Sequence, residues 1–347
     1  MAYTTYLTII VPALVSFVVT ILSVYFVKSY FFESGIVSYD NNKKGKPIIT
    51  ASGGFAVACG FVIGILAYAS GASFNLYIPT ASLTVLFAVT LAVVLETIAG
   101  FLDDLNVKKV AVKTTDMMDI RKGLKQWQKP LFALFGAIPL IAINAGISTI
   151  NLPIVGPVNF GLFYPLLILH LAVIFVTNAF NLVGGFDGIA TGSGLVIFLG
   201  LLLYSLLYGS ELGALISGVM VAALAAFAIF TFFPAKIVPG DSLYFGMSAA
   251  FVAAIVVGNM EAFGIVLFLP YIIEFVLHLR KRFKVTDLGK LQKDGTMAPP
   301  YGKKIYSWCH LFMNLKRAKE WEVSLYMWIT EALFVLLAFS MHWMHLL

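Results

Sequence analysis

The sequence predicts an all-α polytopic membrane protein of about ten transmembrane helices, with a small hairpin and an interfacial helix in the last cytosolic loop. Three observations lead there. Sixty per cent of the 347 residues are hydrophobic and only 12% are charged, against roughly 25% charge in soluble domains. Apolar runs recur down the whole chain, each near the roughly 20 residues that a helix needs to cross a bilayer. A single threading then puts all 23 Lys and Arg residues on one side.

Ten spans fit, at 5–32, 53–70, 79–102, 129–148, 160–178, 188–207, 212–233, 242–260, 262–279 and 323–345. Lys43, Lys44 and Lys46 follow the first span, and Lys108 to Lys129 follow the third. Lys236 follows the seventh, and the cluster from Arg280 to Lys319 follows the ninth. The intervening loops on the other side carry no basic residue. Because basic loops stay in the cytosol, this side is read as cytosolic and both termini as external.

The net charge of +6 therefore reflects topology and anionic ligands on one face, and gives no argument for nucleic acid. The first apolar run lacks a basic n-region and a small-residue cleavage pattern, so it reads as a retained helix. Two cysteines, Cys59 and Cys309, exclude a disulfide framework. No second domain or low-complexity tract interrupts the chain, and 1–347 is read as one integral-membrane domain.

The loops carry their own signals. Asp294-Gly295 between short segments predicts a hairpin around 288–297. Ile305, Trp308, Leu311, Phe312 and Leu315 share one helical face, the pattern of an interfacial helix. In the second span, Gly60 and Gly64 form a GxxxG, read first as close packing and second as a homodimer face.

Five acidic residues, Asp103, Asp104, Asp187, Asp241 and Glu274, fall near the cytosolic ends of spans. A carboxylate near hydrocarbon costs a few kcal/mol, so it is seldom kept without a partner or a task. Asp103 and Asp104 end the third span, where an adjacent pair can hold a cation or accept a proton, and Glu96 precedes them within the span. The fifth span runs into Asn178-Ala179-Phe180-Asn181-Leu182-Val183-Gly184-Gly185-Phe186-Asp187-Gly188, whose glycines let backbone approach a ligand. Asp241 opens the eighth span, where a helix N-cap is the plain alternative. Hard oxygen donors such as Asn181 and Asp241 suit Mg²⁺. Arg280-Lys281-Arg282 could clamp a pyrophosphate, although topology alone also explains basic residues there.

Together these pieces resemble the polyprenyl-phosphate N-acetylhexosamine-1-phosphate transferases, and most of all the dolichyl-phosphate N-acetylglucosamine phosphotransferases of eukaryotes and archaea. The resemblance rests on GFLDDLN at 100–106, Lys129, NAFNLVGGFDG at 178–188, PGDSLYFGM at 239–247 and Gly289-Lys290-Leu291, in order over essentially the whole chain. It implies Mg²⁺ on Asn181 and Asp241, with Mn²⁺ as a substitute. It implies substrate binding by Asn178, uridine contacts from Gly185 and Asp187, and a catalytic phosphate site lined by Asp103, Asp104 and Lys129, with Lys125 as the rival lysine. Arg280, Lys281 and Arg282 would meet the donor pyrophosphate and sugar. Eukaryotic members read Arg-His-Arg at that cluster, and the His-rich loop of bacterial relatives is missing.

The reaction so implied moves N-acetylglucosamine 1-phosphate from UDP-N-acetylglucosamine to a polyprenyl (dolichyl) phosphate in the bilayer and releases UMP, as a first step of lipid-linked oligosaccharide synthesis. Compact loops point to an archaeal or other prokaryotic plasma membrane. The rival class is an ion-coupled transporter of an anionic solute, with broken spans near 181–188 and 234–241; it predicts matching internal repeats, and none is evident.

Overall fold

The computed structural model describes all residues except 1, 78, 80, 106–111, 115–116, 120–123 and 125–126, and the side chains of 2–7, 112–114 and 117–119 are also left aside. Lys125, the rival phosphate lysine, lies outside the described residues, as does Asn106 of the third-span motif.

The chain begins with α1 (Ala2–Glu33), a hairpin of β1 (Val37–Tyr39) and β2 (Ile48–Thr50), α2 (Gly54–Ser73) and α3 (Leu83–Asp104). A second hairpin, β3 (Val112–Thr114) with β4 (Met117–Asp119), leads to α4 (Gln128–Ala142) and a third, β5 (Thr149–Leu152) with β6 (Gly156–Asn159). After a π-helical turn at Tyr164–Ile168 come α5 (Leu169–Phe180), α6 (Ile189–Tyr208), α7 (Glu211–Thr231), α8 (Asp241–Val257), α9 (Glu261–Leu267) and α10 (Leu269–Leu279). The last loop folds as β7 (Lys290–Leu291), β8 (Thr296–Ala298), α11 (Trp308–Leu315) and β9 (Ala318–Lys319), and α12 (Glu320–Trp343) completes the order.

Among the described residues, six helices are long and apolar enough to cross a membrane, and the bent pair α9–α10 makes a seventh. The chain is thus a polytopic integral membrane protein. Three of the expected spans are shorter helices: α4, the segment Tyr164–Phe180, and α8. The fourth span was expected to reach residue 148; its helix stops at Ala142, and a turn and the β5–β6 hairpin occupy the next stretch of chain. The ninth is not one helix. It bends by 50° at Phe268, with Pro270 in the first turn of α10, a position where the missing N–H costs nothing.

The hairpin expected near 288–297 is present as β7–β8, and β9 adds a third antiparallel strand. The expected interfacial helix is shorter than its apolar face suggested. Ile305 lies outside it, and Cys309, Phe312 and Met313 are buried against the protein, leaving Leu315 exposed. Gly60 approaches Ser16 and Thr20 of α1, and Gly64 approaches α1 and Val219 of α7. The GxxxG is therefore used in packing within this chain. Neither cysteine is in a disulfide.

Helix α8 explains where the site sits. Every residue from Ser242 to Val256 is buried, as expected of a helix apolar all round, and it packs on α3, α5 and α7. Peripheral α1 instead exposes Leu14, Val18, Leu22 and Phe26. The end of α3 reaches the start of α8 because residue 100 is glycine: a Cβ there would lie 2.4 Å from the Asp241 carbonyl oxygen.

Candidate functional site at the start of the central helix

The turn before α8 is set by Gly240, which adopts φ +72° as the N-cap, a left-handed conformation that favours glycine. Asp241 is the first helical residue, and its side chain does not cap its own helix. That role falls to Asp104 from α3, whose two oxygens accept Asp241 N–H (2.9 Å) and Ser242 N–H (3.1 Å). Ser52 also donates to Asp104 at 2.7 Å. A carboxylate at a helix N-terminus is favoured by both the orphan N–H groups and the helix dipole, so the buried Asp104 is well matched to this post. The N-cap alternative for Asp241 is thereby replaced: the capping carboxylate comes from the other helix.

Freed from capping, Asp241 turns to the side chains around it. Lys129 Nζ lies 3.0 Å from Asp241 Oδ2 and 2.5 Å from Asp103 Oδ2, bridging α8 to α3 from the first turn of α4. Asn181, just past α5, donates its Nδ2 to the same Asp241 oxygen at 3.0 Å. Asp103 Oδ1 accepts the Leu124 N–H at 2.7 Å. Four of the expected residues, Asp103, Lys129, Asn181 and Asp241, are therefore in mutual contact, although they are spread over more than 130 positions of sequence.

Two cavities meet here. One, of about 320 Å³, is lined by Asp40, Asn181, Gly185, Asp187, Asp241 and Tyr244 among others. A larger one, of about 770 Å³, runs past Lys129, Asn178 and Asn181 between Leu171, Phe175, Phe275 and Phe283. Leu171 is 54% and Phe283 44% exposed, so this second wall opens on the apolar surface. Asn181 and Asp287 border both. Asn178, which lines the larger cavity, donates to its own helix, to Ile174 O at 2.7 Å.

Asn181 and Asp241 offer the donors a divalent ion needs. An amide's oxygen and nitrogen are distinguished only by their hydrogen bonds; turned over, Asn181 would set its oxygen about 3 Å from Asp241 Oδ2, the spacing of neighbouring ligands on an ion that takes oxygens at about 2.1 Å. Both residues fit Mg²⁺.

A second polar cluster stands at the far wall of the smaller cavity. Lys43 Nζ contacts Asp40 (3.3 Å), Asp187 (2.7 Å) and Glu320 (2.5 Å). Asn42 donates to Gly185 O and to Glu320, and Asp187 also accepts the Ala235 N–H at 2.8 Å. Burial opposes the Lys43 charge, but Asp187 and Glu320 outweigh it and raise its proton affinity above that of an ordinary lysine. Burial, then the neighbouring Asp187 charge, pushes Asp40 up despite Lys43. Gly185, at φ +86°, and Asp187 thus line the cavity as expected, with one Asp187 oxygen engaged by the scaffold.

The basic cluster is placed elsewhere. Arg280 donates to Ile305 O at 3.1 Å, and Arg280 and Lys281 lie over the Tyr306 ring. Neither they nor Arg282 line either cavity. Glu96 is fully buried against Gly136 of α4 and also borders neither. Lys43, Ser52, His278 and Glu320 are site residues that the motifs did not flag. Lys43 was absorbed into the topology argument, and only Ser52 and Glu320 had a local signal, as polar residues flanking a helix start.

A site for phosphate chemistry on an integral membrane protein is the class these features define: paired carboxylates, one lysine and an amide at the meeting of a polar and an apolar cavity. The chain belongs to glycosyl transferase family 4, whose profile matches residues 83–259. It is 31% identical over 335 residues, 96% of each chain, to a protein of Saccharolobus solfataricus provisionally named a UDP-N-acetylglucosamine–dolichyl-phosphate N-acetylglucosaminephosphotransferase. A protein of Sulfolobus acidocaldarius with the same provisional name is 30% identical over 95% of each chain. The phospho-N-acetylmuramoyl-pentapeptide-transferase of Streptococcus mutans is 28% identical over 92% of this chain and 94% of its own.

Proposed function

We propose that the protein transfers N-acetylglucosamine 1-phosphate from UDP-N-acetylglucosamine to a polyprenyl (dolichyl) phosphate, releasing UMP. The observation that carries this reading is the junction itself. A polar cavity and an apolar, outward-opening one converge on Lys129, Asp103, Asn181 and Asp241, and the full-length archaeal relatives bear names for this reaction. The smaller cavity takes the nucleotide, and the larger takes the prenyl chain with its phosphate towards Lys129.

In the reaction an acceptor phosphate oxygen attacks the sugar-bearing β-phosphorus, the bond to the UMP oxygen breaks, and a lipid pyrophosphate forms. Phosphoryl transfer is mainly positioning and charge neutralisation. Lys129 supplies the mobile charge: its ammonium is shared between Asp103 and Asp241, and an incoming phosphate competes for it. The acceptor needs little activation, since a phosphate monoester has its second pKa near 6, so Asp103 positions the phosphate or takes a proton. Asp104 holds the start of α8, and with it Asp241, in register. Asn181 and Asp241 would hold Mg²⁺, or Mn²⁺, which supplies charge stabilisation to the pyrophosphate when bound.

All ten apolar segments are read as spans, with the short helices α4 and α8 and the Tyr164–Phe180 segment crossing within the bundle. The basic loops then put the site on the cytosolic face, in an archaeal-type plasma membrane. Cysteine substituted at position 292 should resist an impermeant thiol reagent applied outside, and cysteine at 152 should react; equal labelling would sink this topology. For the function, purified protein with dolichyl phosphate, UDP-N-acetylglucosamine and Mg²⁺ is expected to release UMP, and to stop with chelator. Absence of UMP in the complete mixture overturns the proposal. No relative supports the transporter reading.

A further inference from the structure

Three titratable groups cluster beside the larger cavity, outside the constellation at Asp241: His278 and Asp287 line it, and Glu274 lies buried behind them. Glu274 and His278 are one helical turn apart on α10, and Asp287 reaches them from the loop after that helix. Glu274 is fully buried and His278 nearly so. Their ligand atoms lie within 4.8 Å of one another.

His278 Nε2 is 3.1 Å from Glu274 Oε1 and 2.8 Å from Asp287 Oδ1. One ring N–H cannot point along both directions. The aligned hydrogen bond goes to Glu274, while Asp287 Oδ1 is shut away from solvent with no hydrogen-bond partner. Two carboxylates converging on one imidazole nitrogen is a poor hydrogen-bond arrangement and a good ligand arrangement. Ligands about 2.1 Å from one ion stand about 3.0 to 3.4 Å apart at octahedral to tetrahedral angles, close to the spacing seen. The second Glu274 oxygen accepts the Trp308 N–H at 2.8 Å, the kind of outer contact that fixes a ligand's orientation. Charge argues the same way. Even with a protonated imidazole the two carboxylates leave one net negative charge, which a divalent cation displacing that proton would compensate. Lys129, on the same cavity wall, is committed to Asp103 and Asp241, and Arg280 turns away to Ile305 O.

We infer that Glu274, His278 and Asp287 form a second divalent-cation site, distinct from Asn181 and Asp241, that takes a first-row transition ion such as Zn²⁺ and accepts Mn²⁺ as a paramagnetic probe. The imidazole sets it apart from the all-oxygen set at Asp241, because nitrogen ligands favour such ions over Mg²⁺. Asp287 also borders the smaller cavity, so the site stands at the wall between the two.

The test uses intact, tag-free protein in detergent, stripped with chelator and titrated with Mn²⁺. Pulsed electron paramagnetic resonance reads coupling to an imidazole nitrogen. Wild type is expected to hold one nitrogen-coupled Mn²⁺ per chain. Asp241→Asn should keep it; His278→Ala and Asp287→Asn should weaken it by about 10- to 100-fold. Absence of nitrogen coupling in wild type overturns the inference whatever the variants do, and so does coupling that survives in folded His278→Ala. Should His278→Ala fail to fold, wild type against Asp287→Asn decides. The readout is independent of UMP release, so failure of the transferase reading and failure of this site are separable.

Discussion

Two lysines organise the end of this protein that carries the site, and their surroundings differ in a way that separates chemistry from scaffolding. Lys43 is met by three carboxylates, and around it Asn42 and the Ala235 and Asp187 backbone N–H groups take up further oxygens. Lys129 is met by two carboxylates and an amide at the junction of two cavities. In the first cluster the partners tie one another down and join the β1–β2 segment to α12 across the chain. In the second, each contact can be exchanged for a phosphate oxygen or an ion. Two lysine–carboxylate clusters do not make equal sites; what matters is whether the contacts can be exchanged for those of a ligand.

The sharpest way to break this contrast is at Asp241. Asp241→Asn keeps the shape and the Asn181 contact but removes the charge, and UMP release should fall by at least about 10³-fold with the thermal midpoint little changed. Equal losses of stability and activity would return Asp241 to a scaffold role. Lys129→Gln comes next. It leaves Asp103 and Asp241 facing each other without a cation, so activity should fall by about 10²-fold, and stability by about 3 kcal/mol as for other broken buried pairs, read from UMP release and denaturation in detergent. Lys43→Met should do the reverse. A loss of about 1 to 3 kcal/mol is expected, discounted because the side chain is about one-fifth exposed, with kcat within about threefold of wild type at saturating donor. A kcat collapse in folded Lys43→Met would erase the distinction between the clusters.

The smallest effect is a pH trend. Asp40 binds its proton more tightly when folded, because burial lifts it above 3.8, so the folded state gains stability at low pH and loses it as pH rises through that window. From pH 4 to 6 the thermal midpoint should decline by about 1–2 °C from this group, and Asp40→Asn should remove that part of the slope. Lys43 has the usual sign for a raised lysine: its contribution is full below about 10.5 and lost as pH climbs past its raised value.

The same contrast explains what could be read from the chain alone. Asp103, Asn181 and Asp241 each sit at the end of an apolar run, so their place at one end of the helices was legible and their convergence followed from threading. Lys129 was placed by abutting a span. The Lys43 cluster was invisible because its members come from positions 40–43, 187 and 320, tied by no periodicity, and Lys43 read as one more basic loop residue. The 50° bend at Phe268 and the shortness of α4 depend on tertiary packing, which hydropathy does not report. Arg280 read as a pyrophosphate clamp from its charge and from the resemblance; its partners in the structure, the Tyr306 ring and the Ile305 carbonyl, lie about 25 residues on.

Asp103 and Asp104 are neighbours with unlike obligations. Both oxygens of Asp104 are spent on α8, and a Cβ at residue 240 would come within 2.3 Å of its Oδ2. Residues 104 and 240 therefore form an epistatic pair: in a saturation library each should tolerate almost nothing alone, and rare survivors should change both together. Position 103 should vary independently of 240, its tolerance tracking turnover instead of expression level. The mutational landscape of one dipeptide would then split into two unrelated fitness traits.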